Sequence, residues 1–153
     1  MLKVLFVCIH NSARSQMAEA FLNDLGEGLF HAESAGIEAG SLNPYVVKVM
    51  QEIDYDLSEN ETNSVFDFFK EGRVYTYVVK VCDEASVQRC PIFPSALREF
   101  NWSITDPSTF SGSEIEILSQ TRKVRDQIKL KVLSFIEEHR TFAKNRRDEL
   151  EIK

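Results

Sequence analysis

The chain has 153 residues, a length that suits one domain and can bury a core without disulfide bonds. Its apolar share of 43% and charged share of 27% are typical of a folded globular protein and argue against intrinsic disorder. The net charge of −6 argues against a protein that binds nucleic acid or an anionic membrane through a basic face. The sequence has no apolar run of the roughly 18 residues that a transmembrane helix needs and no recognisable signal peptide, so we expect a cytoplasmic protein.

Strands and helices alternate along the chain. The predicted elements are, in order, a buried strand over residues 3–7, an amphipathic helix over 17–25, a strand over 30–35, a helix that opens at Asn43 and Pro44, a short helix over 62–69, strands over 74–81 and 98–104, and a long amphipathic helix over 117–136. This alternation predicts an α/β fold, a three-layer α/β/α arrangement around a short four-stranded parallel sheet. We expect a single catalytic domain over residues 1–141, followed by a charged tail over 142–153 that is frayed or solvated.

Cysteines follow two of the predicted strands. Cys8 comes directly after the first strand, and Cys82 comes directly after the strand over 74–81. Ligands of open parallel sheets bind beyond the carboxyl ends of the strands, so both thiols are candidates for a functional site. The chain has three cysteines, an odd number that fits poorly with a closed set of disulfides and favours free thiols in a reducing compartment.

The segment between the first strand and the first helix reads CIHNSARSQ over residues 8–16. A loop of this length can turn its backbone N–H groups inward as a nest for a tetrahedral oxyanion, beside the positive end of a helix. Arg14 can pair with two oxygens of the anion, and the same field favours Cys8 as a thiolate nucleophile. The other expected contacts to the substrate come from Asn11, Ser12, Ala13 and Ser15. The alternative is a buried thiol next to a solvated arginine.

These residues, continued by Met17-Ala18-Glu19-Ala20, resemble the signature loop of the low-molecular-weight protein tyrosine phosphatase superfamily. Within that superfamily, the sequence is more similar to the thioredoxin-coupled arsenate reductases. The similarity extends to about Thr141 and includes Ser34-Ala35-Gly36-Ile37, Asn43-Pro44, Val81-Cys82-Asp83, Cys90-Pro91, Trp102, Asp106-Pro107 and Val124-Arg125-Asp126. The resemblance implies the fold of that superfamily and an enzyme that reduces arsenate to arsenite.

The resemblance also implies a relay of three thiols. Cys8 attacks arsenate, Cys82 then attacks Cys8 while the arsenic takes up two electrons, and Cys90 attacks Cys82. The last step carries the disulfide to the surface, where thioredoxin reduces it. From the residues alone, an ordinary core thiol at Cys82 stays open as an alternative. A zinc site is the other alternative, although three cysteines without a nearby histidine make a poor set of ligands.

Asp106 is the candidate general acid. Attack on an oxyanion expels an oxygen, which leaves more readily when a carboxylic acid protonates it. Asp106 follows the last predicted strand, and Pro107 holds it in an extended backbone conformation. An ordinary Asp-Pro turn is the alternative from the dipeptide alone, whereas the matching position in the resembled family favours the acid.

A potassium ion beside the anion loop is a further implication of the resemblance. Asn11, Glu19 and Ser34 match three of its ligand positions in some of the resembled reductases. The fourth position, an aspartate in those proteins, falls on Ser64, and loss of a carboxylate weakens a site for a hard cation. We therefore expect no resident cofactor, and potassium is the one ion that the resemblance suggests.

The sequence thus predicts an arsenate reductase that has arsenate as its substrate and thioredoxin as its redox partner. We expect it to be a monomer that binds neither nucleic acid nor a membrane. One alternative is a low-molecular-weight protein tyrosine phosphatase that uses Cys8, Arg14 and Asp106 and has no need of the other thiols. A second alternative is a non-enzymatic domain that binds an oxyanion or senses the redox state.

Overall fold

The computed structural model describes the backbone of residues 1–81 and 92–152, and the side chains as far as residue 148. Its elements are β1 (Leu2–Cys8), α1 (Arg14–Leu25), β2 (Phe30–Gly36), α2 (Pro44–Gln51), α3 (Val65–Lys70), β3 (Tyr77–Lys80), β4 (Arg98–Asn101) and α4 (Glu114–Ile152). A short 3₁₀ turn over Pro107–Thr109 lies between β4 and α4. Cys82 and Cys90, two of the predicted site residues, lie outside the described residues.

The strand β1 is an inner strand of the sheet. The four strands are parallel and follow the order β2-β1-β3-β4, which confirms the predicted sheet and fold class. Residues 4–7 of β1 are fully buried, because strands flank β1 on both edges and helices cover both faces. This double burial explains why β1 is a continuous apolar run. Cys8 pairs with Gly36 and Val7 pairs with Lys80, so β1 ends level with the ends of both neighbouring strands.

Alternate residues of β1 pack on opposite faces of the sheet. Val4 and Phe6 belong to the larger core cluster, which includes residues of α1 and α4, and Phe6 packs on Trp102 with 5.7 Å between ring centroids. Leu5 and Val7 belong to a smaller cluster that includes residues of α3. Helices on both faces of the sheet give the predicted three layers.

The start of α2 lies beside the carboxyl edge of the sheet and is capped as the sequence predicts. Asn43 Oδ1 accepts a hydrogen bond from the N–H of Tyr45 at 2.9 Å, and Pro44 occupies the first helical position. On the other side of α2, the buried Arg125 of α4 donates to the carbonyl of Val49 at 2.8 Å. This bond ties α2 to α4 and so holds the start of α2 in place.

Two strands are shorter than the sequence predicts. The strand predicted over residues 74–81 covers Tyr77–Lys80, and the strand predicted over residues 98–104 covers Arg98–Asn101. The apolar pattern in the sequence extends beyond the residues that pair in the sheet, because Ile104 lies past the end of β4 but is buried in the core.

The final helix is longer than the sequence predicts. α4 continues to Ile152, so residues 142–152 are helical rather than a frayed tail. This stretch contains no glycine or proline to end the helix, and Ala143 within it is buried at 2% exposure. Within the described parts of the chain, no helix is both long and apolar enough to cross a membrane.

Candidate active site

Cys8 lies at the carboxyl edge of the sheet, where the chain loops from β1 into α1. The residue is buried, with 2% of its surface exposed. Cys8 Sγ accepts a hydrogen bond from the backbone N–H of Asn11 at 3.2 Å and lies 2.9 Å from Ser15 Oγ. Hydrogen-bond donors directed at a sulfur stabilise its thiolate, which is the nucleophilic form of a cysteine.

The loop after Cys8 turns its carbonyl groups outward. The backbone N–H groups of Ile37, Glu38, Gly40 and Asn43 donate to the carbonyls of residues 8, 9, 10 and 12, respectively, and the side chain of Gln16 donates to the carbonyl of residue 11. In a planar trans peptide, the N–H of the following residue points in the opposite direction from the carbonyl. The N–H groups of residues 9–13 therefore face the inside of the loop, as in an anion-binding nest. Ser12 and Ala13, predicted to contact the substrate, lie within this loop.

Close packing against the end of β2 holds the loop in this shape. A Cβ atom on Gly36 would lie 2.6 Å from the backbone nitrogen of Asn11 and 2.6 Å from the carbonyl carbon of His10. Glycine is therefore required at this position, which gives a packing reason for the glycine of the SAGI motif. The side chain of His10 is exposed at the rim of the loop, where its Nδ1 lies 3.9 Å from Glu38 Oε2.

Arg14 begins α1 and is turned into the protein, with 1% of its surface exposed. Its Nη1 donates to the carbonyl of Ile104 at 2.8 Å, and its Nη2 lies 3.6 Å from Oδ2 of Asp106. A guanidinium held at the N-terminus of α1 adds a fixed positive charge beside the inward N–H groups. The alternative of a solvated arginine is therefore excluded.

Asp106 reaches this site from the segment that follows β4. Its Oδ1 accepts a hydrogen bond from the N–H of Ser108 at 3.0 Å, at the start of the 3₁₀ turn, while its Oδ2 faces Arg14. The residue is thus the cap of an ordinary Asp-Pro turn and also a carboxyl group at the candidate site. The turn is what directs the carboxyl group toward Arg14, so the two interpretations of the dipeptide are compatible.

Asn11 connects the cysteine to a distant segment of the chain. It is fully buried, and its backbone φ of 55° lies in the left-handed region that asparagine tolerates better than most residues. Its Nδ2 donates to Ser15 Oγ at 2.8 Å, and its Oδ1 accepts from the backbone N–H of Asn63 at 2.9 Å. The Asn11 side chain therefore braces the loop against the stretch before α3.

Gln16, Asn60 and Asn63 contribute to the site but were not predicted from the sequence. Gln16 is 1% exposed and donates a hydrogen bond to the backbone carbonyl of Asn11. Asn60 donates to the side chain of Gln16, and the backbone N–H of Asn63 donates to the side chain of Asn11. The available signal was a long amide side chain directly after the Arg14-Ser15 pair, together with two asparagines in one short polar stretch.

Glu19 and Ser34, two of the three predicted potassium ligands, are in contact beside the loop. Ser34 Oγ donates to Glu19 Oε2 at 3.2 Å, and burial raises the pKa of Glu19 to about 7. A carboxyl group buried in this way would be stabilised by a cation. Asn11 fits a ligand role less well, because its Oδ1 already accepts hydrogen bonds from Asn63 and Gln16.

Ser64, which the sequence comparison placed at the fourth ligand position, forms a bridge to Gly36 and offers a hydroxyl in place of the aspartate of the resembled reductases. In residues 1–81 and 92–148, whose side chains the structure describes, no group of three or more His, Cys, Asp or Glu side chains is placed to hold a metal ion. The donors that fit a monovalent cation are therefore the carboxyl group of Glu19 and the hydroxyl of Ser34.

Two cavities in this part of the molecule differ in the charge of their linings. The first has a volume of about 310 Å³, a mainly apolar lining and Ser12 of the anion loop in its wall, together with Tyr45, Pro107 and Phe110. The second has a volume of about 820 Å³ and is lined by residues of α1 and by residues between α2 and α3, with no residue of the anion loop in its wall. The acidic residues in its lining are Glu19, Asp24, Asp54 and Asp56. Negative charge repels an oxyanion, so the first cavity is the one suited to a substrate of that charge.

The fold and the loop are those of the low molecular weight phosphotyrosine protein phosphatases. A sequence profile of that family matches residues 3–147, and the chain belongs to this family. The resemblance predicted from the loop and the later motifs is confirmed.

Arsenate reductases are among the most similar curated relatives. The arsenate reductase of Staphylococcus aureus (strain N315) is 37% identical over 135 residues, which cover 86% of this chain and 94% of the relative. The arsenate reductase of Bacillus subtilis (strain 168) is 35% identical over 134 residues, which cover 88% of this chain and 94% of the relative.

Solved structures show the same relationship. An arsenate reductase in its oxidized state superposes with a TM-score of 0.73 at 30% identity, covering 90% of this chain and 98% of that chain. An arginine phosphatase from Geobacillus stearothermophilus has a TM-score of 0.73 at 22% identity, covering 95% and 97% of the two chains. The second similarity is evidence for the fold alone.

Proposed function

We propose that this protein reduces arsenate to arsenite, with Cys8 as the nucleophile. The observation that carries the proposal is the buried Cys8 Sγ within a loop of inward N–H groups, contacted by Asn11 and Ser15 and flanked by the guanidinium of Arg14. Arsenate is a tetrahedral oxyanion of the kind that such a nest binds. Relatives named arsenate reductase, at 37% and 35% identity over most of their length, support this substrate.

The first proposed step forms a bond between sulfur and arsenic. The Cys8 thiolate attacks the arsenic, a sulfur–arsenic(V) bond forms, and one arsenate oxygen leaves as water after it is protonated. Asp106 is the proposed proton donor, because its carboxyl group lies beside the guanidinium that would hold the other oxygens. Arg14 and the loop N–H groups stabilise the negative charge of those oxygens throughout the step.

The second proposed step transfers two electrons to arsenic. The Cys82 thiolate attacks Cys8 Sγ, a disulfide forms, and the sulfur–arsenic bond breaks with its electron pair on arsenic, which departs as arsenite. Cys90 then attacks Cys82 and releases the Cys8 thiolate, and a thioredoxin dithiol reduces the remaining disulfide. The N–H of Val81 donates to the carbonyl of Val7 at 2.7 Å. Val81 directly precedes Cys82 in the chain and Val7 directly precedes Cys8, and this contact supports the proposed pairing of the two thiols.

The proposed chemistry also has implications for the cellular compartment, the reductant and a bound ion. Catalysis by free thiols needs a reducing compartment, so we assign the protein to the cytoplasm, acting as a monomer with thioredoxin as its reductant. We also propose that a potassium ion binds at Glu19 and Ser34, where it would compensate the charge of a buried carboxylate.

Arsenate turnover coupled to thioredoxin, thioredoxin reductase and NADPH tests the proposal. We expect NADPH oxidation that depends on arsenate and is absent in Cys8→Ser. Cys82→Ser should release no arsenite, whereas Cys90→Ser should release one arsenite per molecule and then stop, with Cys8 joined to Cys82. Mass spectrometry of arsenate-treated protein without reductant identifies the joined cysteines. Full steady-state activity in either downstream variant would contradict the relay.

A phosphatase is the second candidate, and the apolar groove beside Ser12 favours it. Tyr45 and Phe110 line this groove and would suit the aromatic ring of a phosphate ester. Hydrolysis of an aryl phosphate that persists in the Cys82→Ser/Cys90→Ser double variant, without arsenate turnover in the unmodified protein, would favour the phosphatase. If neither substrate is turned over while a disulfide forms reversibly, a redox sensor would be favoured instead.

A further inference from the structure

The orientation of the Asn11 side chain follows from its partners. Its Oδ1 accepts from the backbone N–H of Asn63 at 2.9 Å, and a backbone N–H can only donate. The Nδ2 end therefore faces Ser15 and donates to its Oγ at 2.8 Å. The proposed Cys8 thiolate can only accept a hydrogen bond, so the Ser15 hydroxyl, 2.9 Å away, donates its hydrogen to Cys8 Sγ. These residues form a one-way chain of donors that ends at the sulfur.

The orientation of Gln16 is determined in the same way. Its Nε2 donates to the backbone carbonyls of Asn11 at 3.1 Å and Glu61 at 2.9 Å, and carbonyls can only accept. The same Nε2 lies 3.3 Å from Asn11 Oδ1. Its Oε1 accepts from Nδ2 of Asn60 at 3.0 Å. Gln16 is 1% exposed, so water competes little for these bonds.

We propose that Gln16 is a positioning residue for the nucleophile and acts through Asn11. By donating to both oxygens of Asn11, it keeps the Asn11 amide turned with Nδ2 toward Ser15, which commits the Ser15 hydroxyl to Cys8. This inference rests on the proposed role of Cys8 as the nucleophile, and nothing in the family assignment or in the named relatives assigns this role to Gln16.

Loss of the Gln16 amide has a defined consequence for the loop. The carbonyl of Asn11 is the one that a side chain holds, whereas backbone N–H groups hold the other four carbonyls of residues 8–12. A buried carbonyl without a donor is unfavourable, so the left-handed turn at Asn11 relaxes when Gln16 is replaced. The N–H of Asn63 is then the remaining donor to the Asn11 side chain. With the backbone of Asn11 relaxed, the bond from Asn11 Nδ2 to Ser15 weakens, and the Ser15 hydroxyl is less firmly directed to the sulfur.

Alkylation of Cys8 by iodoacetamide is the primary readout. The reagent is neutral and needs no anion bound in the loop, and peptide mass spectrometry of the full chain separates Cys8 from the other two cysteines. Gln16→Met keeps the size of the side chain and removes its hydrogen bonds. We expect Cys8 alkylation at neutral pH to be about tenfold slower, the size of effect that loss of a buried hydrogen bond produces. The matched control is Gln51→Met, an exposed position in α2, which should leave the rate unchanged.

A double-mutant cycle with Asn11→Gly separates positioning from a purely structural role. Glycine keeps the left-handed backbone accessible and removes the amide through which Gln16 acts. In the Asn11→Gly background, we expect Gln16→Met to slow alkylation by less than about twofold. An equal, tenfold loss in both backgrounds would overturn the proposal, because Gln16 would then act independently of Asn11.

A second variant keeps the proposal testable if Gln16→Met fails to fold. Asn60 is exposed and donates to Gln16 Oε1, so Asn60→Ala loosens Gln16 without altering the core. We expect alkylation of Cys8 to be about two to three times slower in this variant, and an unchanged rate would count against the proposal. Arsenate turnover is measured in parallel on the unmodified protein. If the variants are alkylated more slowly but the unmodified protein does not turn over arsenate, the role of Gln16 is supported and the reductase is contradicted. If the unmodified protein turns over arsenate but the variants are alkylated at the normal rate, the reductase is supported and the role of Gln16 is contradicted.

Discussion

Arg14 and Asp106 face each other at the candidate active site, with 3.6 Å between Arg14 Nη2 and Asp106 Oδ2. The carbonyl of Ile104, two residues before Asp106, accepts a hydrogen bond from the same guanidinium at 2.8 Å. One short segment after β4 therefore fixes the arginine and presents the carboxyl group. An oxyanion bound as proposed and Asp106 would be neighbours of the same positive charge, which would couple substrate binding to the proposed general acid.

Asp106→Asn should lower kcat without raising KM for arsenate. Asparagine keeps the turn but cannot supply a proton, and loss of a general acid typically costs about 10²–10⁴ in rate. Because the variant also removes a carboxylate that competes for Arg14, substrate affinity should be equal or higher. Steady-state kinetics measure both constants, with Asp67→Asn in the exposed part of α3 as the control. A normal kcat combined with a raised KM would show that Asp106 acts in binding rather than as the acid.

Gly36→Ala should destabilise the protein and slow the alkylation of Cys8. The added Cβ would lie 2.6 Å from two backbone atoms of the loop, and overpacking of this kind costs about 1–3 kcal/mol. Urea unfolding and iodoacetamide kinetics measure the two effects. Gly72→Ala is the control, because Gly72 has a positive φ but no atom within 4 Å of an added Cβ. It should cost some stability and leave Cys8 reactivity unchanged, so equal alkylation rates in both variants would contradict the close-packing account.

Protonation of His139 should destabilise the folded protein as the pH falls. It is packed between Phe135 and Phe100, with 4.5 Å and 5.4 Å between ring centroids. Burial lowers the pKa of His139 below its usual value, and Arg98 acts in the same direction while Glu138 opposes the shift. The folded state therefore binds fewer protons than the unfolded state. Stability is fully present above the unfolded pKa of about 6.5 and falls as the pH drops toward the lower folded pKa.

Urea unfolding of His139→Phe tests this pH dependence. Phenylalanine fits an aromatic environment and does not titrate, so the loss of stability between about pH 7.5 and about pH 5.5 should be smaller than in the unmodified protein. His31→Phe, at an exposed position, should keep the full pH dependence. Identical acid sensitivity in His139→Phe and in the unmodified protein would show that another group titrates.

Glu19 should have the opposite dependence on pH. Burial raises the pKa of Glu19 from 4.5 to about 7, so the folded state binds more protons than the unfolded state within this window. Stability therefore decreases as the pH rises from 4.5 to about 7. Glu19→Gln should be more stable than the unmodified protein above this window in buffer without potassium, and should differ little below it.

The effect of potassium on thermal stability tests whether the ion binds at Glu19. If the ion binds at Glu19, potassium chloride should raise the thermal midpoint of the unmodified protein above that in choline chloride, with no such difference in Glu19→Gln. Glu59→Gln, at an exposed position, is the control and should respond like the unmodified protein. An equal response to potassium in Glu19→Gln would place the ion elsewhere or show a general salt effect.

The arrangement of the fold could be predicted from local patterns. The continuous apolar run of β1 indicated a strand buried on both faces, and the Asn43-Pro44 pair indicated the start of α2. At the end of the chain, a charged stretch indicated a frayed or solvated tail; residues 144–148 are exposed, but the stretch is helical rather than frayed. The helix continues there because its backbone bonds are local and Ala143 has a place in the core, a contact that composition alone does not reveal.

The sequence by itself determined the parts of the site that are neighbours in the chain. Cys8, Asn11, Arg14 and Ser15 are close neighbours in the chain, where a strand ends and a helix begins, so their spacing together with this local context predicts an anion-binding loop. The tertiary structure decided which groups hold the loop in shape and orient its side chains: the N–H groups of residues 37, 38, 40 and 43, the N–H of Asn63 and the carbonyl of Ile104. These partners come from distant parts of the chain, and their hydrogen bonds exist only after the sheet has brought the strand ends to one edge.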